Sequence, residues 1–348
     1  MKVKPHRLKE IAIEILKGLG ATDEEALVVA ECLVLADMRG IDTHGVHFLK
    51  LLADRVEANM IQIPTQLRVL KEDGSLSLLD GGNGLGQVAA HRAMQMTIKK
   101  AKEFGVGVTL IRKTNHIGIL AYYTLMAAKE GMVGIVMSNS APSMSPWGGA
   151  EPFLGTNPLS IAVPGGADGP VVLDMSSSVV ARGKIRRAER MREEIPLGWA
   201  LDENGLPTTD PTAALRGTLL PIGGPKGYGL ALMVDVLAGM LSGSSYGPMV
   251  KTFHQPVGPT GIGVLTMAID IDRLMPLDQF GQLMKSYVTS IKQSRKAKGV
   301  SEIYLPGEIE RERERSSLIE GIPLSNSLVD QLNGLLEKVR SPLRLKEE

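Results

Sequence analysis

Two histidines have the type and setting for proton chemistry. His44 falls in the run Gly40-Ile41-Asp42-Thr43-His44-Gly45, and His116 in Thr114-Asn115-His116-Ile117-Gly118, each a glycine-bearing break between regular segments. An imidazole ionises near pH 6.5, which suits it to moving a proton on or off a carbonyl or alcohol oxygen at neutral pH. For either residue alone a packed turn histidine is the plainer reading; the pair together strengthens the case for acid–base work without deciding it. Of the rest, His6 reads as solvated, His91 as helix surface or packing, and His254 as a residue of a Pro/Gly loop.

Other chemistries find less support. No HExxH, no CxxC and no cluster of two carboxylates with a histidine occurs at ligand spacing, so no metal is expected. Gly223-Gly224-Pro225-Lys226-Gly227 runs into Tyr228 and lacks the Ser or Thr that a P-loop places after its lysine. Gly82-Asn83-Gly84-Leu85-Gly86 has its glycines at the wrong spacing for GxGxxG. Lys226 opens an apolar helix, where backbone donors and an ammonium can hold a phosphate; a loop lysine in water fits the pattern equally well. Asp174 ends a strand and can accept a ribose hydroxyl or cap the segment that follows, and capping is the simpler reading.

The elements that must position these groups alternate. Helical periodicity covers Leu8 to about Met60 in three pieces, with Asp23 read as the N-cap of the second and a third from Val46 to Ala58. Residues 67–70 and 76–79 flank Asp73-Gly74, a hairpin signal. Then follow helix 87–104, strand 106–111, helix 119–130, strand 133–137 and strands near 159–163 and 171–173. A charged helix over 179–192, a turn-rich stretch 199–210, an apolar helix 226–241, a strand 263–271 and an amphipathic helix 277–298 complete the middle; charged helices occupy 310–315 and 328–339. Strands interleaved with helices mean α/β or α+β, with helical flanks at both ends. The stretch from Thr114 to Pro164 holds His116, a polar strand end at Ser138-Asn139-Ser140 and a Gly/Pro-rich wall with Trp147, so it is the expected ligand-bearing segment.

The totals set the class. A chain of 348 residues supports two domains, and a net charge of +1 with 4% aromatics argues against nucleic acid. The lone Cys32 excludes an internal disulfide and reads as an inert core residue of a protein from a reducing compartment. The apolar run 228–240 is too short to span a bilayer and carries Asp235, so no membrane partner is expected and the chain reads as soluble and cytoplasmic.

Taken together, the segments ADMRGIDTHGV (36–46), DGGNGLGQVAA (80–90), TNHIGILAYY (114–123), GGAEPFLGTNPLSIAVP (148–164), LDMSSSVVARGK (173–184), GWALDENGLPTTDP (198–211), GGPKGYGLALMVDVLAG (223–239) and LPGE (305–308) resemble the type 2 malate/L-lactate dehydrogenase family. That family also holds ureidoglycolate, sulfolactate and diketogulonate enzymes and cyclic-imine reductases. The resemblance implies an oxidoreductase using NAD or NADP on a 2-hydroxy or 2-oxo acid, typically a homodimer, with its own non-Rossmann cofactor fold. It implies a helical domain of residues 1–66 with 300–348 and an α/β domain of 67–299. By position, His116 would move the substrate proton while His44 positions or shares it. Ser140, Asp174, Met175, Ser176, Lys226, Gly227, Pro306, Gly307 and Glu308 fall where the family contacts its dinucleotide.

One departure bears on substrate. The family commonly reads S-H-G-x-x-R with a tyrosine four residues on; here the text is Thr43-His44-Gly45-Val46-His47-Phe48, then Leu52. A guanidinium fork is the usual partner of a carboxylate. Its loss leaves His47, Lys50 or a distant basic residue to replace it, or a substrate without that group. Thr43, His47 and Phe48 are the substrate-side candidates, at a more apolar end of the pocket. The alternatives are reduction of a cyclic C=N bond, or cofactor binding without turnover.

Overall fold

The computed structural model describes residues 1–165, 169–255 and 257–346. In chain order the elements are β1 (Lys2–Val3), α1 (Pro5–Gly18), α2 (Asp23–Met38), α3 (Phe48–Glu57), β2 (Arg68–Asp73), β3 (Leu76–Asp80), α4 (Gly86–Phe104), β4 (Val106–Thr114), α5 (Ala121–Lys129), β5 (Met132–Ser138), β6 (Leu159–Val163) and β7 (Val171–Met175). They continue with α6 (Arg182–Met191), β8 (Ala200–Leu201), α7 (Pro211–Arg216), β9 (Thr218–Leu219), α8 (Pro225–Val234), β10 (Ile262–Asp270), α9 (Leu277–Gln293), α10 (Glu308–Glu320), β11 (Ile322–Pro323) and α11 (Asn326–Lys338).

The architecture is mixed α/β. Seven strands form one sheet in the order β2-β3-β4-β10-β5-β6-β7. Only β3 and β4 run parallel, joined by the crossover helix α4; every other neighbouring pair is antiparallel. This is not the parallel doubly wound sheet that a GxGxxG turn serves, in keeping with the absence of that fingerprint. Helices α4 and α5 cover one face through Ala89, Ala90, Ala93, Met94, Tyr123 and Ala127, all essentially without solvent exposure. Small residues on α4 let it lie close: a Cβ on Gly107 of β4 would stand 2.1 Å from the Thr97 carbonyl oxygen. At that contact the buried hydroxyls of Thr97, Thr109 and Thr266 satisfy one another (2.8 and 2.7 Å).

A second apolar cluster joins α1, α2, α3 and α11 through Leu8, Ile15, Leu33, Leu49, Leu332 and Leu336. The two chain ends meet there, with β1 antiparallel to β11 and the Met1 ammonium donating to the Leu324 carbonyl (3.1 Å). A third cluster gathers Met144, Leu154, Ile185, Ala200, Ala214 and Leu219, so the 199–219 stretch carries its own β8–β9 ribbon and the short α7 in addition to turns.

Several element ends differ from the sequence reading, each for a local reason. Thr22, not Asp23, caps α2: its hydroxyl takes the Glu25 N–H while the Glu25 carboxylate takes the Thr22 N–H, a reciprocal capping box. Glu25 also accepts from Thr65 N–H (2.5 Å), so a buried carboxylate ties α2 to the start of the sheet. Helix α3 begins at Phe48, two residues after Val46, because Val46 N–H is held by the Asp37 side chain. Helix α6 begins at Arg182 and α9 ends at Gln293. Helix α8 passes into a π-helical turn at Asp235–Met240, where buried Asp235 accepts from Asn139 and from Gly247 N–H (both 2.8 Å). Among the described residues, no helix is long and apolar enough to cross a membrane.

Candidate active site

His116 sits where β4 stops and the chain turns towards α5. The turn is clamped from three sides. Asn115 donates to the carbonyl oxygens of Asn83 (3.1 Å) and Gly84 (2.9 Å) and to the Asn83 side chain (3.0 Å), and its own oxygen accepts from Thr260 (3.0 Å). The first residue of α4 presses from below: a Cβ on Gly86 would lie 2.3 Å from the His116 carbonyl oxygen. Gly118, at φ +75°, passes over the buried Cys32 thiol, whose pKa burial pushes up to about 12. The glycine-rich 81–86 segment is thus the seat of the His116 turn.

His44 closes a single 3-10 turn, Asp42–His44, after α2. Asp37 in the last turn of α2 accepts Val46 N–H (2.8 Å), and Gly45 lies against that carboxyl so closely that a Cβ would stand 1.8 Å from it. Burial pushes the Asp37 carboxyl up to about 7.

The two turns bring the histidines together: the His44 and His116 rings stack at 5.3 Å between centroids. Phe48 stacks on His116 at 4.5 Å and on His44 at 6.1 Å, and His47 meets Phe48 edge-on at 4.8 Å. Phe48 is 4% and Leu52 2% exposed, so both are packed into the helical apolar cluster. His254 joins the cluster, its ring 6.2 Å from Phe48. The buried guanidinium of Arg55 brings it there, donating to the carbonyls of Phe253 (3.3 Å), Gln255 (3.1 Å) and Gly258 (2.8 Å) and lying over the Phe253 ring. Reading His254 as a turn residue missed this, because its only local signal was a histidine in a Pro/Gly loop; the arginine that delivers it lies on another helix.

Burial and the neighbouring imidazoles hold His44 down to about 4 and His116 well below the ordinary range, so both are neutral at pH 7. Gly118 N–H donates to His116 Nδ1 (3.2 Å), which puts the proton of the neutral ring on Nε2. His44 Nδ1 instead faces the Thr43 hydroxyl (2.9 Å), a group that can give or take a hydrogen bond.

The residues matched to the dinucleotide lie in a second set of walls. Asp174, at the end of β7, accepts Ala121 N–H (2.8 Å) and so caps α5, not the segment after it; burial pushes its carboxyl up to about 6. Pro306 pairs with β7 through its carbonyl and Val172 N–H (3.0 Å), and a Cβ on Gly307 would meet the Val172 carbonyl oxygen at 2.8 Å. The Glu308 carboxylate is held by Lys292 and the Leu305 N–H. Met175 is half-buried and the Ser176 hydroxyl is shared with Ser178 (3.1 Å). Residues 177–178 pair with 221–222, which sets Lys226 and Gly227 at the first turn of α8 close to that strand end. Two groups stay open to a ligand. The Ser140 hydroxyl is buried with no partner, and Lys226 is exposed with no carboxylate within 4 Å among the described residues. An unpaired buried hydroxyl and a free ammonium suit a polar, phosphate-bearing group. Among the described residues, no set of three or more His, Cys, Asp or Glu side chains is arranged to hold a metal ion.

A mixed sheet without a Rossmann turn, carrying a half-buried imidazole pair, defines a class of small-molecule site that known proteins share. The family model described as malate/L-lactate dehydrogenase matches residues 3–333. The chain belongs to that family. It is 40% identical over 347 residues to a malate dehydrogenase of Pyrococcus horikoshii, covering 97% of this chain and 96% of that one. A ureidoglycolate dehydrogenase (NAD(+)) of Escherichia coli is 36% identical over 334 residues, 95% of each chain. The solved sulfolactate dehydrogenase of Methanocaldococcus jannaschii superposes with a TM-score of 0.93 at 38% identity, covering 98% of both chains.

Proposed function

We propose that this protein is an oxidoreductase that uses NAD or NADP to interconvert a 2-hydroxy acid and the corresponding 2-oxo acid. The observation that carries the reading is the half-buried, neutral His44–His116 pair, stacked at 5.3 Å in a family whose named relatives above are dehydrogenases of hydroxy acids. Those names favour CH–OH chemistry over reduction of a C=N bond.

Bound at the second set of walls, the nicotinamide supplies or takes the hydride at its C4. The chain's residues handle the rest. With its proton on Nε2, His116 donates a hydrogen bond to the substrate oxygen, and protonating Nδ1 would cost it the Gly118 contact. His44 has no such bar, because a protonated Nδ1 can donate to the Thr43 hydroxyl. His44 is therefore the proton carrier and His116 the group that polarises the C–O bond, which exchanges the roles expected from the resemblance. Hydride addition at carbon and proton transfer at oxygen together turn C=O into CH–OH, and the reverse regenerates it. Ser140 and Lys226 hold the dinucleotide, with Met175, Gly227, Pro306 and Gly307 shaping its walls. Asp174, Ser176 and Glu308 support that wall through their bonds to Ala121, Ser178 and Lys292. Thr43, His47 and Phe48 face the substrate.

The reading keeps residues 1–66 with 300–348 as a helical unit and 67–299 as the α/β unit, so that each contributes one of the two histidines. A homodimer fits the apolar residues left exposed on and after α8, with Met233 at 49% and Leu241 at 59% exposure. The single, buried, unpaired Cys32 fits the cytoplasm. The test is NADH and NADPH oxidation by the purified protein against pyruvate, oxaloacetate, sulfopyruvate, 2-oxoglutarate, diketogulonate and a cyclic imine. Turnover of a 2-oxo acid, reduced by at least about 100-fold in both His44→Ala and His116→Ala, is expected. Turnover of the imine alone would sink the proposal.

A further inference from the structure

The family motif places a guanidinium at position 48, and here that position is a buried phenylalanine stacked on His116. The nearby bases of the helical side are already committed. Lys50 is paired with Asp54 one turn along α3 (2.5 and 2.6 Å). Arg55 is spent on three carbonyls, and Arg39 is paired with Glu314 (2.9 Å). His47 is held below its ordinary range by burial and is neutral at pH 7.

Helix α6 carries five basic residues, and among the described residues none of them lies within 4 Å of a carboxylate; Arg182 and Arg186 are the two whose charges reach the histidine cluster. Its start packs directly on the catalytic turn: a Cβ on Gly183 would stand 3.0 Å from the Thr43 methyl group. Arg182 and Arg186, four residues apart, share one face of that helix. Arg182 is partly buried and gives one N–H to the Leu215 carbonyl (2.5 Å), while Arg186 is exposed. Among the described residues neither lies within 4 Å of a carboxylate. Burial, and then the charges of Arg186, His47 and Arg182, press the His254 pKa down to about 4; His254 in turn lies 6.2 Å from Phe48. Two like charges one turn apart on the helix that packs against Thr43, with no carboxylate within 4 Å among the described residues, suit an anion.

We propose that Arg186, with Arg182 one turn before it, anchors the substrate carboxylate from α6 in place of the missing guanidinium at position 48. The inference rests on the oxidoreductase reading and adds the part of the substrate that α6 recognises. The partner is a planar carboxylate next to the reacting carbon.

The experiment uses the full-length protein and two probes. Oxamate, an unreactive 2-oxo acid mimic, is titrated into the NADH and NADPH complexes. The best 2-oxo acid of the panel is compared with its neutral methyl ester. Arg186→Leu changes an exposed side chain and should leave the melting temperature alone. Its expected effect is a 10- to 100-fold weaker oxamate affinity and a similar loss in kcat/KM for the acid, the scale of one charge-assisted hydrogen bond. The ester should lose little, and Arg186→Lys should recover part of the loss. Arg182→Lys reads the second cation while keeping its charge. Oxamate binding and acid turnover unchanged in Arg186→Leu would overturn the anchor and leave the enzyme reading intact. A change confined to NADPH affinity would place the pair at the cofactor and also overturn it. Failure of the wild-type complexes to bind oxamate, together with no turnover of any 2-oxo acid of the panel, would remove both the anchor and the proposed function.

Discussion

Gly86→Ala should be the most informative single change, because it moves His116 without touching it. The added methyl would stand 2.3 Å from the His116 carbonyl oxygen and 2.4 Å from that of Asn115, where ordinary contact begins near 3.4 Å. One side must therefore retreat by about 1 Å. Neither side is loose. Helix α4 is pinned by the fully buried Ala89, Ala90 and Met94, and Leu85 N–H is bound to the Thr65 hydroxyl (3.1 Å). The turn is pinned by the Asn115 amide and by Thr260. Overpacking of this kind costs about 1–3 kcal/mol of stability. A displacement on the order of 1 Å of a reacting group costs about 100-fold in rate. We expect kcat to fall by about that factor while NADH affinity, read by fluorescence quenching, stays within about twofold, since Ser140 and Lys226 stand on other elements. Gly281→Ala on α9 is the control: nothing lies within 4 Å of its new methyl, and helix propensity should raise stability by up to about 1 kcal/mol. Wild-type kcat and melting temperature in Gly86→Ala would refute the claim that this contact sets the position of His116.

The pH profile should be equally specific. In the oxidation direction the base must be neutral, so with His44 held to about 4 by burial, kcat/KM should stay flat from pH 9 down to about 5 and fall only below that; a break near 6.5 would contradict the assignment. Arg55→Ala should strand the carbonyls of Phe253, Gln255 and Gly258, costing about 3 kcal/mol in urea unfolding and weakening oxamate binding as the His254 loop loosens. Unchanged stability there would mean that water replaces the guanidinium.

What could be read from the sequence was what short-range patterns encode. Asp73-Gly74 marked the β2–β3 hairpin, and the apolar runs 106–111 and 133–137 fell within β4 and β5. His44 and His116 were visible because each broke a regular pattern beside a glycine. Even the Thr22-x-x-Glu25 capping box was legible, though the adjacent Asp23 competed for the same role by type alone. Pairings across long separations left no such mark. Nothing local links Lys2–Val3 to Ile322–Pro323, or Arg55 to the loop around His254. The glycines of 81–86 were legible as turns, but the need at Gly86 is set by a backbone contact with His116, thirty residues on.

Position 48 joins these two kinds of information. The sequence shows that a cation is missing, and only the fold shows what its loss permits. An arginine at Phe48 would stand in a cluster of His44, His47, His116 and His254, all four held below their ordinary range by burial first. A fixed cation there would depress the imidazoles further, and its desolvation would need the substrate anion as compensation. A phenylalanine fills the same volume with no charge and leaves the proton-carrying ring free to respond to the substrate. In the proposed anchor the positive charge comes instead from α6, which packs on the His44 turn through Gly183 and Thr43 and whose exposed Arg186 water can solvate before the substrate arrives.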